Sequence, residues 1–157
     1  MTDDYCEVVF EDEEGQLVVF TEYVVKKLYQ FRQLDGLSLE GAGVLIGERR
    51  GSHLVICDLS IPGDGDCRSR YEVNRKGLHH QKKVDTCFRS SGGFQQYLGE
   101  WHSHPEDFPT PSFKDEQSWK HNLVALKPMV IVIVGRKKLW VGKKFQDRIY
   151  PINIKKG

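Results

Sequence analysis

The chain has 157 residues, of which 39% are hydrophobic and 29% charged, and its formal net charge is +1. That length and apolar content predict one globular domain over 1–157, and near-neutrality excludes a global field that recruits nucleic acid or anionic lipid. Four dispersed cysteines (Cys6, Cys57, Cys67 and Cys87) without a C-x-x-C pair exclude a disulfide framework and point to a cytoplasmic, reducing setting.

In chain order, "MTDDYCEVVF" carries neither the basic nor the apolar region of a signal peptide. "EDEEG" (11–15) near the start and "GKK" near the end read as solvated, mixed-charge surface. "QLVVF" (16–20) predicts a strand. Thr21 is a candidate N-cap for a helix "EYVVKKLYQFRQL", on which Val24, Leu28 and Phe31 share a face. "GAGVLIGE" and "HLVICDLSI", joined by the charged turn "RRGS", predict a hairpin. "PGDGD" is a loop, "RYEVN" a short strand, and "KGLHHQKKVDTCFRS" a helix with Leu78, Val84 and Phe88 clustered, ended by "SGG". "YLGEWHSH" follows as a strand, a helix opens at Ser112, and "MVIVIV" (129–134) is a buried strand too short to cross a bilayer. "KLWVGKKF" and "DRIYPINI" complete the sheet. Strands interspersed with a few helices predict an α+β fold, a mixed sheet flanked by helices.

The chemistry concentrates in "GEWHSHPEDFPTPSFKDEQSW" (99–119). Residues two apart on a strand face one way, about 6.6 Å apart. His102 and His104 therefore converge at a strand end, while Ser103 and Trp101 face the other side. Pro105 stops the strand. Ser112 then has the pattern of a helix N-cap, with Asp115 three residues on as a carboxylate variant of the capping box. From the first helical turn Asp115 is also able to reach back as a third ligand. Two histidines and one aspartate leave the fourth tetrahedral position to water, the open arrangement of a catalytic zinc site. Such a site needs a general base. Glu40, Glu48, Glu100 and Glu106 are the candidates, and spacing does not choose among them.

"E40-GAG-V-L-I-G47" followed by "H102-S-H104-P-EDFPTP-S112-FK-D115" resembles the JAMM (MPN+, JAB-domain) metalloproteases in order and spacing. The resemblance implies a cytidine-deaminase-like JAB/MPN fold and a single catalytic Zn²⁺ held by His102, His104 and Asp115. It further implies Glu40 as the base, which passes its proton to the leaving amine, and Ser112 as the hydrogen-bond donor to the oxyanion. Within the family, the short chain and the segment "DCRSRYEVNRKGLHHQKK" are most similar to bacterial JAB proteins encoded with ubiquitin-transfer-like enzymes, and to the deconjugating isopeptidase of CBASS antiphage operons. That likeness implies a protein substrate with an extended C-terminal tail, a cGAS/DncV-like nucleotidyltransferase conjugate, and no nucleic-acid or membrane partner. Alternatives within the family are a peptidase that processes a ubiquitin-like or sulfur-carrier protein, and a DNA-repair-associated JAB protein. The segment Pro62–Asn74 is expected to supply a sheet edge or a covering loop for the tail. Outside the site, His79 and His80 point to different helix faces and read as surface residues. His121 suits a helix C-terminus, and Cys87 reads as a semi-buried, non-nucleophilic thiol.

Overall fold

A computed structural model describes residues 5–156 of the chain, so the outermost residues of the expected 1–157 span, 1–4 and 157, lie outside it. Fourteen elements are described. The strands are β1 (Val8–Glu11), β2 (Leu17–Phe20), β3 (Ala42–Arg50), β4 (His53–Leu59), β5 (Cys67–Arg68), β6 (Val73–Asn74), β7 (Gln96–Ser103), β8 (Met129–Val134), β9 (Leu139–Phe145), β10 (Arg148–Pro151) and β11 (Asn153–Ile154). The helices are α1 (Glu22–Gln30), α2 (His79–Ser90) and α3 (Phe113–Asn122). Nine strands form one sheet in the order β10-β9-β8-β7-β3-β4-β2-β1-β11, and β5 and β6 form a separate pair. The pairs β2–β4 and β7–β8 are parallel and the rest antiparallel, a mixed sheet in an α+β fold.

Period-2 alternation sorts the core into two faces. On β8, Val130, Val132 and Val134 pack with Val24, Val25 and Leu28 of α1. Met129, Ile131 and Ile133 pack with Trp119 of α3. Val44 and Ile46 of β3, on the side opposite Leu45, meet Cys87 of α2. Helix α1 therefore covers one face, and α2 and α3 the other. Thr21 caps α1 by accepting from the Val24 N–H. The helix ends at Gln30, short of the expected Leu34, because Gln33 is drawn inward to bond the Ser38 and Arg70 carbonyls.

The two outer edges of the sheet are joined by one residue. Pro151 closes β10 on one edge and Asn153 opens β11 on the other, so the sheet curls until its edges are neighbours. Ile152 spans the seam, buried in the α1 core, and donates its N–H to Val141 O at 3.0 Å. The same seam corrects the reading of "EDEEG" and "GKK" as solvated surface. Lys143 is fully buried and its ammonium meets Asp12 Oδ2 at 2.8 Å. Lys144, also buried, points to the opposite face and caps the C-terminus of α3 through the Trp119 and Leu123 carbonyls. Adjacent strand residues point oppositely, so two successive lysines each find a different buried acceptor.

Two other expectations change in extent, and β1, where no element was predicted, forms by pairing with β2 and β11. "RYEVN" shortens to the two residues of β6, because Ser69 and Glu72 close a turn before it. At α2, Leu78, the N-cap residue, and Phe88 are exposed, and the buried positions are His80 and Cys87.

A bulge in β7 decides which side chains reach the site. The register against β3 shifts between Leu45 and Ile46, placing Leu98 out of step. Leu98 and Trp101 both join the α1 core, while Tyr97 packs on the opposite face. At Gly99 a Cβ would lie 1.8 Å from Val130 O, so only glycine permits the strands to approach there. From residue 99 to residue 103 the pairing with β8 is regular, and His102 shares the α3 face, its ring 5.9 Å from that of Trp119.

Candidate metal centre

The C-terminal end of β7 lies beside the start of β3, with His102 opposite Ala42. His104 extends the ladder by donating its N–H to Val134 O. The two imidazoles turn their Nε2 atoms toward each other at 3.0 Å. Asp115 approaches from α3, with Oδ1 3.2 Å from His102 Nε2 and Oδ2 3.1 Å from His104 Nε2. Its carboxylate is aimed by the helix cap: Asp115 N–H donates to Ser112 Oγ at 3.0 Å, and Ser112 N–H donates to Asp115 Oδ2 at 2.9 Å. The capping-box role and the reach toward the histidines thus coexist in one side chain.

Glu106, one of the four candidate bases, accepts from His104 Nδ1 at 2.7 Å. That bond puts the proton on Nδ1 and leaves the Nε2 lone pair facing His102 and Asp115. Lone pairs from two imidazoles and a carboxylate converging on one point repel one another unless a cation lies among them, so this donor set fits a divalent metal. Burial pushes the Asp115 carboxyl up, but with no metal bound the His102 and His104 rings beside it act as proton donors, outweigh burial and hold the group well below the usual carboxylate range. For His104, burial favours the neutral ring, and the Asp115 and Glu106 carboxylates reverse that and raise it.

Glu40 enters from the residue before β3. Its carboxylate and the imidazole nitrogens of His102 and His104 lie within 4.8 Å of one another. Burial, reinforced by Asp115 and offset by His104, pushes Glu40 up to about 7. The other candidate bases are engaged elsewhere. Glu48 pairs with Arg50 at the end of β3, and Glu100 is held by Arg75 and the Tyr97 hydroxyl.

Two clefts, of about 390 and 380 Å³, meet at Glu40 and Asp115. Tyr71, Glu72 and Val73 line the first together with Ser112 and Lys114. The expected covering loop is therefore a short β5–β6 hairpin against the site. It is pinned to the site by three contacts: Glu40 N–H to Ser69 O at 2.7 Å, Arg68 Nε to Glu40 O at 2.9 Å, and Lys114 to Glu72.

The base of that hairpin corrects the reading of His79 and His80 as surface residues. His80 is 4% exposed and bridges Ser60 Oγ at 2.6 Å and the Asp66 carboxylate at 3.0 Å. The Asp66 carboxylate only accepts, so His80 Nε2–H donates to it and His80 Nδ1 accepts from the Ser60 hydroxyl, whose Oγ also accepts from the Val44 N–H. Asp66 also accepts from the Gly63 and Gly77 amides. His79 Nε2 lies 2.7 Å from Ile61 O. These nitrogens and oxygens lie close enough to suggest a second metal cluster. Each already has a protein partner, and the group closes the 61–79 loop. Cys87 is buried, and its thiol is pushed up to about 11 by burial and by Asp58, so it stays protonated and unreactive. His121 lies in the last turn of α3, and the four cysteines are free thiols. No helix among the described residues is long and apolar enough to cross a membrane.

Comparison with known proteins places these features in context. A family model described as prokaryotic homologs of the JAB domain matches residues 21–148. A "CD-NTase/cGAS isopeptidase" of Vibrio cholerae is 54% identical over 143 residues, covering 91% of this chain and 92% of that protein. A protein of the same name from Escherichia coli is 51% identical over 149 residues, covering 95% and 96%. The solution structure of DSY2949 from Desulfitobacterium hafniense superposes with a TM-score of 0.59 at 17% identity, covering 84% of this chain and 87% of that one, a likeness of fold.

Proposed function

Because this chain belongs to the family of prokaryotic homologs of the JAB domain, we propose that it is a zinc-dependent isopeptidase of bacterial antiphage defence. It releases targets joined to the C-terminal tail of a CD-NTase/cGAS-type nucleotidyltransferase, and it works in the cytoplasm. The substrate class rests on relatives of that name at 54% and 51% identity. The observation that carries the chemistry is the convergence of His102 Nε2, His104 Nε2 and the Asp115 carboxylate beside a buried Glu40.

His102, His104 and Asp115 would hold the ion, which supplies Lewis-acid polarisation of the scissile carbonyl and acidifies water in the site. Glu40, held near pH 7 by burial, is matched to taking a proton from the attacking water and returning it to the leaving amine. Ser112 Oγ already accepts from the Asp115 N–H, which leaves its own proton to donate to the oxyanion at the cleft mouth. Glu106 fixes the His104 tautomer. The β6 residues Val73 and Asn74 line the cleft, and an extended tail would add to that short sheet by backbone pairing.

The test is cleavage of a conjugate made on the nucleotidyltransferase C-terminus. A chelator should abolish cleavage and added Zn²⁺ restore it. Cleavage that resists chelation, or that survives Glu40→Ala, overturns the reading.

A further inference from the structure

We propose that Gln33 is a positioning residue, acting through Ser103 and Gly41, that sets the Glu40 carboxylate against His102 and His104. The inference rests on the proposed role of Glu40 as the base.

Gln33 is 0% exposed and does not line either cleft. All three of its described bonds tie together segments that meet at the site. Its Nε2 donates to Ser38 O at 3.3 Å and to Arg70 O at 2.7 Å. Its Oε1 accepts from the Ser103 hydroxyl at 2.9 Å. Ser103 lies between His102 and His104 on the opposite face of the strand, and its Oγ accepts from the Gly41 N–H at 2.8 Å. The Gly41 carbonyl accepts from the Ser103 N–H at 2.9 Å. Gly41 therefore has both backbone polar groups bound to the residue between the two histidines, and Glu40 is its neighbour. On the other side, Glu40 is held by Ser69 and Arg68 of the hairpin whose turn residue Arg70 bonds Gln33.

One buried amide thus fixes the distance between three backbones: the histidine strand, the approach to β3, and the cleft hairpin. A satisfied buried amide adds little stability over an apolar residue of the same shape, because each bond replaces one to water. What it adds is a single arrangement, since any shift leaves a donor or acceptor unpaired in a dry interior. Only an amide offers two donors and one acceptor at this point. A glutamate loses both donors, and an aliphatic side chain orphans the Ser103 hydroxyl and two carbonyls.

Gln33→Met, Ser103→Ala, Ser103→Thr and the Gln33→Met/Ser103→Ala double variant test this. Metal affinity, kcat and KM on the tail conjugate, and zinc-loaded crystal structures are measured for each. Loss of a group that orients a residue at a metal site lowers activity by about tenfold to a hundredfold. We expect kcat to fall by that factor in Gln33→Met and Ser103→Ala, with metal affinity and KM within about twofold of wild type. The double variant should be no slower than the slower single one, because both break the same chain. Ser103→Thr, which keeps the hydroxyl, should recover most of the rate. In the crystals of Ser103→Ala the Glu40 carboxylate should be displaced from the histidines, which themselves stay in place. Unchanged kcat with Glu40 unmoved overturns the inference, as does a loss of metal affinity in step with kcat. If Gln33→Met does not fold, Ser103→Ala and Ser103→Thr decide alone. If wild type fails to cleave the conjugate, the proposed function fails, and the position of Glu40 in Ser103→Ala still decides this inference.

Discussion

Asp115 Oδ2 accepts the Ser112 N–H at 2.9 Å while lying 3.1 Å from His104 Nε2, so the cap that starts α3 also aims a carboxylate at the imidazoles. One side chain is committed to a local and a long-range contact at once, and the two are separable by substitution.

Asp115→Asn keeps an oxygen for the Ser112 amide and loses the charge. Its metal affinity should fall at least tenfold, while the Ser112 bond of the capping box is kept. Asp115→Ala should lose metal binding and, in addition, about 1 kcal/mol of stability from the broken capping box. Zinc titration and urea unfolding of both variants read the two effects independently.

Glu40→Gln should retain stoichiometric zinc and lose about 10²- to 10⁴-fold in kcat, the usual contribution of a general base.

The same residue makes the metal-free protein pH-sensitive. The folded-state value of Glu40 is about 7, above its ordinary 4.5, so between those values the folded state binds more protons than the unfolded one. Stability contributed by this group is therefore greatest below pH 4.5 and declines as pH rises to 7, by about 3 kcal/mol. In chelator-treated protein at pH 8, Glu40→Gln should be the more stable form, and the difference should vanish near pH 4. Equal stability of the two at pH 8 would contradict the burial argument.

His80→Ala removes the link between Ser60 and Asp66 beneath the cleft hairpin. A buried Asp66 keeps its two amide bonds but loses its imidazole partner, which should cost about 2–3 kcal/mol. Hydrogen exchange should quicken at the amides of Gly63 and Gly77, while the β8 amides stay protected.

At the seam of the sheet, Lys143→Met strands the Asp12 carboxylate in the interior. Breaking one half of a buried pair costs about 3–5 kcal/mol, and Asp12→Asn added to Lys143→Met should recover part of it. A loss below about 1 kcal/mol by denaturant unfolding would mean that water reaches the pair.

Much of the scaffold was readable along the chain. The β3–β4 hairpin, the β8 strand at 129–134 and the Thr21 and Ser112 caps follow from alternation, turn chemistry and short polar side chains at helix starts. The shared face of His102 and His104 follows from the same period. Among four candidate bases, spacing chose none; Glu40 emerged through resemblance, and the structure brings it beside the histidines. What stayed hidden was every feature made by contact at long sequence separation. Gln33 reads as an ordinary polar residue after a helix, His80 as one of two surface histidines, and Lys143 as part of a solvated run.

The sequence by itself determined the local pieces: which residues alternate, where helices begin, and which side chains are of a type able to ligate a metal. Those properties depend on neighbours within about four residues, and the covalent geometry of strand and helix supplies them. Tertiary structure decided which of those pieces meet. It set Glu40 beside the histidines, joined the two sheet edges through Ile152, and buried Gln33, His80 and Lys143. A buried polar group is tolerated only where the whole fold supplies its partners, and those partners lie 131 residues away for Lys143 and 70 for Gln33.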